Sequence, residues 1–363
     1  MSSRGVALAV VSLALGFGTV ARAGNLKVVQ SGTTVKATGD AAGVSVGVTS
    51  VSEGDSDPTT GVVRFVPLDG STVNGGTADV QFNGVKNVSI KLGKGPNSVG
   101  GEEIDVLGNF AVKGGASADE LTFGGGFVGG ILTLDGGDGA DTVECQDIEI
   151  GRDAVLKSSG SGLKTFTFGC NAAGNLKASF SGSGHNQLNV TDDASAEFFT
   201  LKANGAFDEI NVGAASIGQN AKLSHGNGAG TVIFTGTLIG EALSVGSGSG
   251  ADTIRLNGAH VGAAAKINAG NGANILIAGP DQTLIGESFQ LTAGAGADTF
   301  NLQNVTVGED CTIKIGNGAN HGTITGFTIG EDFTVTAGTG SNNVSVTGNT
   351  VGGVTKIGSN VGP

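Results

Sequence analysis

The chain has 363 residues, 68 of them Gly, with 17 Phe, five Pro and three Cys but neither Tyr nor Trp. Asp and Glu total 32 against 19 Lys and Arg, and this net charge of −13 argues against a nucleic-acid partner, whose binding rests on Lys and Arg displacing counterions. An apolar share of 38% excludes disorder, and dense glycine without a collagen triplet leaves many short strands joined by tight turns.

At the N-terminus, Arg4 precedes an almost unbroken apolar run, Val6 to Val20, and Ala21-Arg22-Ala23 follows as the small-x-small pattern of a signal-peptidase site. Residues 1–23 are therefore expected to be a secretory signal, too short to span a membrane, leaving a mature chain that is secreted, periplasmic or at the cell surface. Residues 24–84 read as an N-terminal β region of degenerate coils or a cap, because the repeat that governs the rest is blurred there. No later stretch reaches the roughly 18 uninterrupted apolar residues of a spanning helix, so no membrane span is expected in the mature chain.

From residue 85 to 363 one period dominates. Val307-Gly308-Glu309-Asp310 recurs as Ile329-Gly330-Glu331-Asp332, and aliphatic-Gly pairs continue in both directions at Val351-Gly352, Ile285-Gly286, Val261-Gly262 and Ile239-Gly240. The step is about 22 residues, the length of one supersecondary unit in a repeat array. Only the stretch from about 172 to 200 reads as out of phase, with Ser195 where an aliphatic belongs. Counting the aliphatic before the Gly as position 1, position 7 holds Leu223, Val245, Ile267, Leu291, Ile313 and Val335. Position 5 alternates small and large, Ala221, Leu243, Ala265, Phe289, Cys311 and Phe333, and positions 10 and 12 carry a Gly-x-Gly.

Short apolar-polar-apolar runs flank these glycines, a strand period, and no helical period occurs. One such unit cannot bury its apolar side alone, so neighbours must stack. The predicted fold is all-β: a parallel β-helix, or β-solenoid, of about 22 residues per coil and roughly 12–15 coils. With strands about 4.8 Å apart, a dozen coils make a rod on the order of 60 Å long.

The segment Asp135-Gly136-Gly137-Asp138-Gly139-Ala140-Asp141-Thr142-Val143 contains a match to the G-G-x-G-x-D-x-U nonapeptide, and partial versions with Asp252 and Asp298 run from Gly248 to Ile254 and from Gly294 to Phe300. Here the chain resembles secreted bacterial repeat proteins of the RTX type, and more generally exported β-helix proteins with one GxGxD-like turn per coil. The resemblance implies calcium at Asp138, Asp141, Asp252 and Asp298. This chain differs in that the motif returns only once per coil rather than at every ninth position, with Asn274, Asn320 and Asn342 in the Asp column. The alternative use of that column is structural: Asx side chains capping turns through local backbone groups, and stacked amides.

The four His (185, 225, 260 and 321) fall in different columns without ligand spacing and are expected at surface or turn positions. Cys145 and Cys311 lie in distant coils, while Cys145 and Cys170 lie in adjacent ones but are offset by two or three residues. Free buried thiols are expected, with a Cys145–Cys170 bridge as the alternative. Glu241, Glu287, Glu309, Asp310, Glu331 and Asp332 form an acidic ridge.

Three functions fit these features. The first is a non-catalytic, adhesin-like rod for structure or interaction, binding cell-surface components or another copy stacked on the end at Val361-Gly362-Pro363. The second is a calcium-responsive secreted module. The third is a polysaccharide lyase or glycosidase, an analogy from fold alone. Gly246-Ser247-Gly248 and its relatives are repeat turns rather than nucleophile elbows, so no catalytic residue is expected.

Overall fold

The computed structural model describes residues 23–50, 61–191 and 193–361. The expected export signal lies outside these residues except for Ala23, as do Gly362 and Pro363. Strands, turns and bends make up the described residues, which wind into a parallel β-solenoid of about 12 turns at roughly 22 residues each. Among the described residues no helix is long and apolar enough to cross a membrane.

Each turn contributes one strand to a 16-stranded sheet. There Leu223, Val245, Ile267, Leu291, Ile313 and Val335 are successive cross-strand partners, none more than 3% exposed. Side chains alternate across a strand, so the position 5 column, Ala221 to Phe333, lies on the same inward face and is equally buried. Its alternation of small and large residues lets successive layers interlock at close-packed density.

The rest of each turn makes two more parallel ladders. The coil that begins with Cys311–Ile315 continues through His321–Thr325 and Thr328–Ile329, and each strand pairs with its equivalent in the next coil. Nearer the N-terminus, long strands such as Asn97–Val106, Asp119–Val128 and Lys164–Ala172 run through both arms. The bend between the arms needs a left-handed residue. Gly236, Gly258, Gly326 and Gly348 supply it at φ of 60–67°, a region that glycine enters without steric cost. The buried side chains form one continuous core from Leu26 to Val361.

Two segments depart from the simple repeat. Between about 172 and 200 the coils continue unbroken, with Leu176, Ala178 and Phe180 pairing with Phe199, Leu201 and Ala203. It is Ala196, immediately after Ser195, that faces inward beside Ile217; the step from Ala196 to Ile217 is one residue shorter than the usual period and that from Leu176 to Phe199 one longer, and these uneven steps produce the slip. At the N-terminus the pairing is partly antiparallel, Asn25–Ser31 with Thr34–Gly39, and Val63–Pro67 with both Ser45–Ser50 and Val80–Phe82. A hairpin reverses the chain, so residues 24–84 cannot keep the columns of the repeat. Thr34–Gly39 and Ser45–Ser50 then pair in parallel with the first full coil.

Candidate functional site

The turn that leaves the 16-stranded sheet reads Gly-x-Gly-x-Asn or Gly-x-Gly-x-Asp, and the Asx side chain folds back into it. The Asn274 amide donates to the carbonyls of Gly270 and Gly272 at 3.4 and 3.2 Å, and the Asn320 amide to those of Gly316 and Gly318 at 3.0 and 3.5 Å. Glycine is required there by contact as well as by conformation. A Cβ on Gly296 or Gly318 would stand 1.9 Å from the carbonyl oxygen of the equivalent glycine one coil earlier.

The side-chain oxygen of each rung faces the preceding coil. The backbone N–H groups of Asn97, Asp119, Asp252, Asn274 and Asp298 donate to Oδ1 of Asp119, Asp141, Asn274, Asp298 and Asn320, at 2.9–3.1 Å. Asn amides add lateral bonds, Asn186 to Asp208 at 2.6 Å and Asn320 to Asn342 at 2.7 Å. Asx side chains are short enough to bond nearby backbone in this way. The result is a buried polar ladder, one rung per coil, running most of the length of the rod.

Two coils break the Asx pattern, and both bring in a basic side chain. Lys164 takes the rung after Asp141; fully buried, its Nζ donates to the carbonyl of Gly139 and lies 3.7 Å from Asp141 Oδ2. Burial pushes the Asp141 carboxyl up to about 7, with the Asp119 N–H and Lys164 opposing. Gly230 leaves another rung without a side chain, and His225 fills the space. Its Nε2 lies 3.1 Å from Asp208 Oδ2 and its Nδ1 3.5 Å from Asp252 Oδ1. Burial would raise Asp208, but His225, the Asn186 amide and the Gly205 N–H outweigh it and hold the carboxyl below its ordinary range. Asp252 is pushed by burial up to about 6 against the opposing pull of His225 and the Gly230 N–H. Burial likewise raises Asp298.

His225 therefore departs from the expected surface or turn placement of the histidines: it is a buried bridge between two carboxylates. The available signal was the glycine at residue 230, a blank in a column otherwise filled by polar residues. Of the residues singled out for calcium, Asp141, Asp252 and Asp298 are buried rungs separated from one another by intervening coils. Asp138 is exposed and accepts a hydrogen bond from the Ser159 hydroxyl at 2.6 Å. Among the described residues no three His, Cys, Asp or Glu side chains group to hold a metal ion. In the acidic ridge, Asp310 and Asp332 accept backbone N–H groups from Asp332 and Val354, and Glu287, Glu309 and Glu331 stand exposed in one column beside them.

The expectation of free thiols at 145 and 170 is overturned: Cys145 and Cys170 form a disulfide with their Cα atoms 6.2 Å apart. Cys145 pairs with Phe168, so Cys170 is its diagonal neighbour, beside a bulge between Gln146 and Glu149. At 6.2 Å this diagonal pair falls within the separation that a disulfide spans, whereas a regular diagonal pair about 7–8 Å apart would not. Cys311 is free and buried, and burial pushes its thiol upward.

No protein-family model, curated protein or solved structure matches this chain.

Proposed function

We propose that the chain is an exported, non-catalytic rod that serves a structural or interaction role outside the cytoplasm. The ladder is the observation that carries this reading. Polar side chains that a reaction centre would turn toward a substrate are here turned inward and joined to neighbouring coils. The rungs bonded in this way stiffen the scaffold, as buried hydrogen-bonded side chains do, while the Asp252 carboxylate and the His225 imidazole lie among them held by charge and proximity without a hydrogen bond. The Cys145–Cys170 bridge supports an oxidising destination, where structural disulfides persist.

The reading is tested by location and by inertness. A tagged chain is expected to be accessible to protease added to intact cells, and the purified chain is expected to leave pectin and alginate uncleaved. Its circular dichroism and melting temperature are expected to be the same with and without a calcium chelator. Retention in the cytosol, release of new sugar ends, or melting induced by chelator would each overturn it.

A further inference from the structure

Outward residues of the 16-stranded sheet fall into two columns, because alternate side chains along a strand point away from the core. One column includes Lys177, Thr200, Lys222, Ser244 and Lys266; the other includes Lys157, Ser179, Lys202 and Ser224. From Lys157 to Lys222 the lysines alternate columns coil by coil, which keeps like charges from standing directly opposite one another, whereas nearer the N-terminus Lys91 stands opposite Lys113. Over the whole sheet, its strands carry 11 of the chain's 14 lysines, from Lys27 to Lys356, all exposed. Within those strands one carboxylate, Asp135, stands against them, and Asp153, Asp310 and Asp332 adjoin the face at the residues just before Ala154–Ser158, Cys311–Ile315 and Phe333–Ala337. Among the described residues only Lys113 and Lys177 of the eleven have ion-pair partners, Asp135 and Asp153, each at 2.6 Å.

A chain of net charge −13 thus gathers most of its lysines on one face. Staggering lowers the mutual repulsion only between Lys157 and Lys222 and leaves Lys91 opposite Lys113, so a polyanion laid along the sheet would be stabilising. We propose that this face is a docking surface for a linear acidic polysaccharide, a partner class that rests on the reading of the chain as an exported rod. No aromatic side chain stands in either lysine column to stack a nucleobase, and no Arg is there to grip phosphate or guanine in two-pronged fashion. The residues between the lysines are largely Ser and Thr, with Gln290 also in the first column, and these are hydroxyl and amide partners for a hydroxyl-rich chain. The long run of parallel strands, one per coil, offers sites spaced along its length for an extended polymer rather than a compact ligand.

The test is titration of the purified chain with polygalacturonate, with neutral dextran, duplex DNA and vesicles of anionic phospholipid as comparators at equal ionic strength. Binding to polygalacturonate is expected to exceed all three and to weaken as salt rises, since exposed charges are screened over about 10 Å at 0.1 M salt. The double variant Lys202→Glu/Lys222→Glu should bind about tenfold more weakly or worse, while Arg64→Glu/Arg255→Glu, equal in charge change but on other strands, should stay within about twofold. Lys202→Gln/Lys222→Gln, measured beside the charge reversals, covers any loss of folding and should also weaken binding. Absence of binding at low salt, equal weakening by both charge-reversed pairs, tighter binding to DNA or vesicles, or a salt-sensitive self-association in place of glycan binding would each overturn the proposal. Cleavage of bound polygalacturonate would instead overturn the non-catalytic reading and leave the docking surface standing.

Discussion

His225 occupies the space that Gly230 leaves in the buried ladder, its Nε2 lying 2.6 Å from where a Cβ on that glycine would stand. The two positions are therefore a single choice: either a side chain at 230 completes the ladder, or the imidazole bridges Asp208 and Asp252.

Gly230→Asn alone should clash with the imidazole and destabilise the fold by about 2–4 kcal/mol. His225→Ala should cost about 3 kcal/mol, because two buried carboxylates lose their basic partner. The double substitution should recover most of the loss, since Asn at 230 can bond as Asn274 does. Denaturant unfolding measures all three, and a Gly230→Asn chain as stable as the parent would contradict the arrangement.

The rungs also set a pH dependence. Folded Asp141 keeps its proton up to about pH 7, whereas the unfolded carboxyl loses it near 3.8. In that interval the folded state binds more protons, so stability falls as pH rises, on the order of a few kcal/mol in all. Asp252 acts in the same sense up to about pH 6, and Asp298 in the same direction. Asp153 is the opposite case: bonds from Lys177 and Asn175 outweigh burial and hold it at about 2, and its contribution is lost only as pH falls from near 3.8 toward that value. The depressed Asp208 likewise stabilises above the ordinary carboxylate range. The melting temperature is expected to be higher near pH 5 than near pH 8, with Asp141→Asn flattening the difference. A melting temperature that climbs from pH 5 to pH 8 would show that these carboxyls are ionised at little cost.

Much of this fold is legible in the sequence because a stacked coil writes its inward face as columns. Ile313 and Val335 stand one full period apart in the chain and side by side in the sheet. The capping of each turn by its Asx side chain is legible in the column. That Lys164 and the blank at Gly230 belong to the same ladder is not, because neither residue type marks it and only burial and register place them there. Cys145 and Cys170 mislead because register alone pairs Cys145 with Phe168, and the nearby bulge cannot be foreseen from spacing. The lysine face is concealed for another reason: a net charge sums over all surfaces, and the segregation emerges only once strand register sorts residues into outward columns.

Thiol counting tests the bridge. The native chain should give no reaction with a thiol reagent, the unfolded chain one thiol from Cys311, and the unfolded and reduced chain three. Replacing both Cys145 and Cys170 by Ala should cost about 2–4 kcal/mol. Three thiols without reductant would mean the bridge does not form.

Ile313→Asp places an unpaired carboxylate in the inward column between Leu291 and Val335. A loss of several kcal/mol, or local melting of that coil, is expected. An unchanged melting temperature would place residue 313 at the surface.

Through most of the parallel stack, hydrogen-bonded partners on adjacent coils are separated in sequence by a single period, whatever their place along the rod. Contacts are then a matter between neighbours only, and stability grows approximately as a sum over coils. Reach becomes a quantised property: inserting one coil would lengthen the rod by about 4.8 Å while bringing its own core residues and its own rung. The molecule can act as a ruler whose graduations are coils, lengthened or shortened in its middle without redesign of what lies on either side.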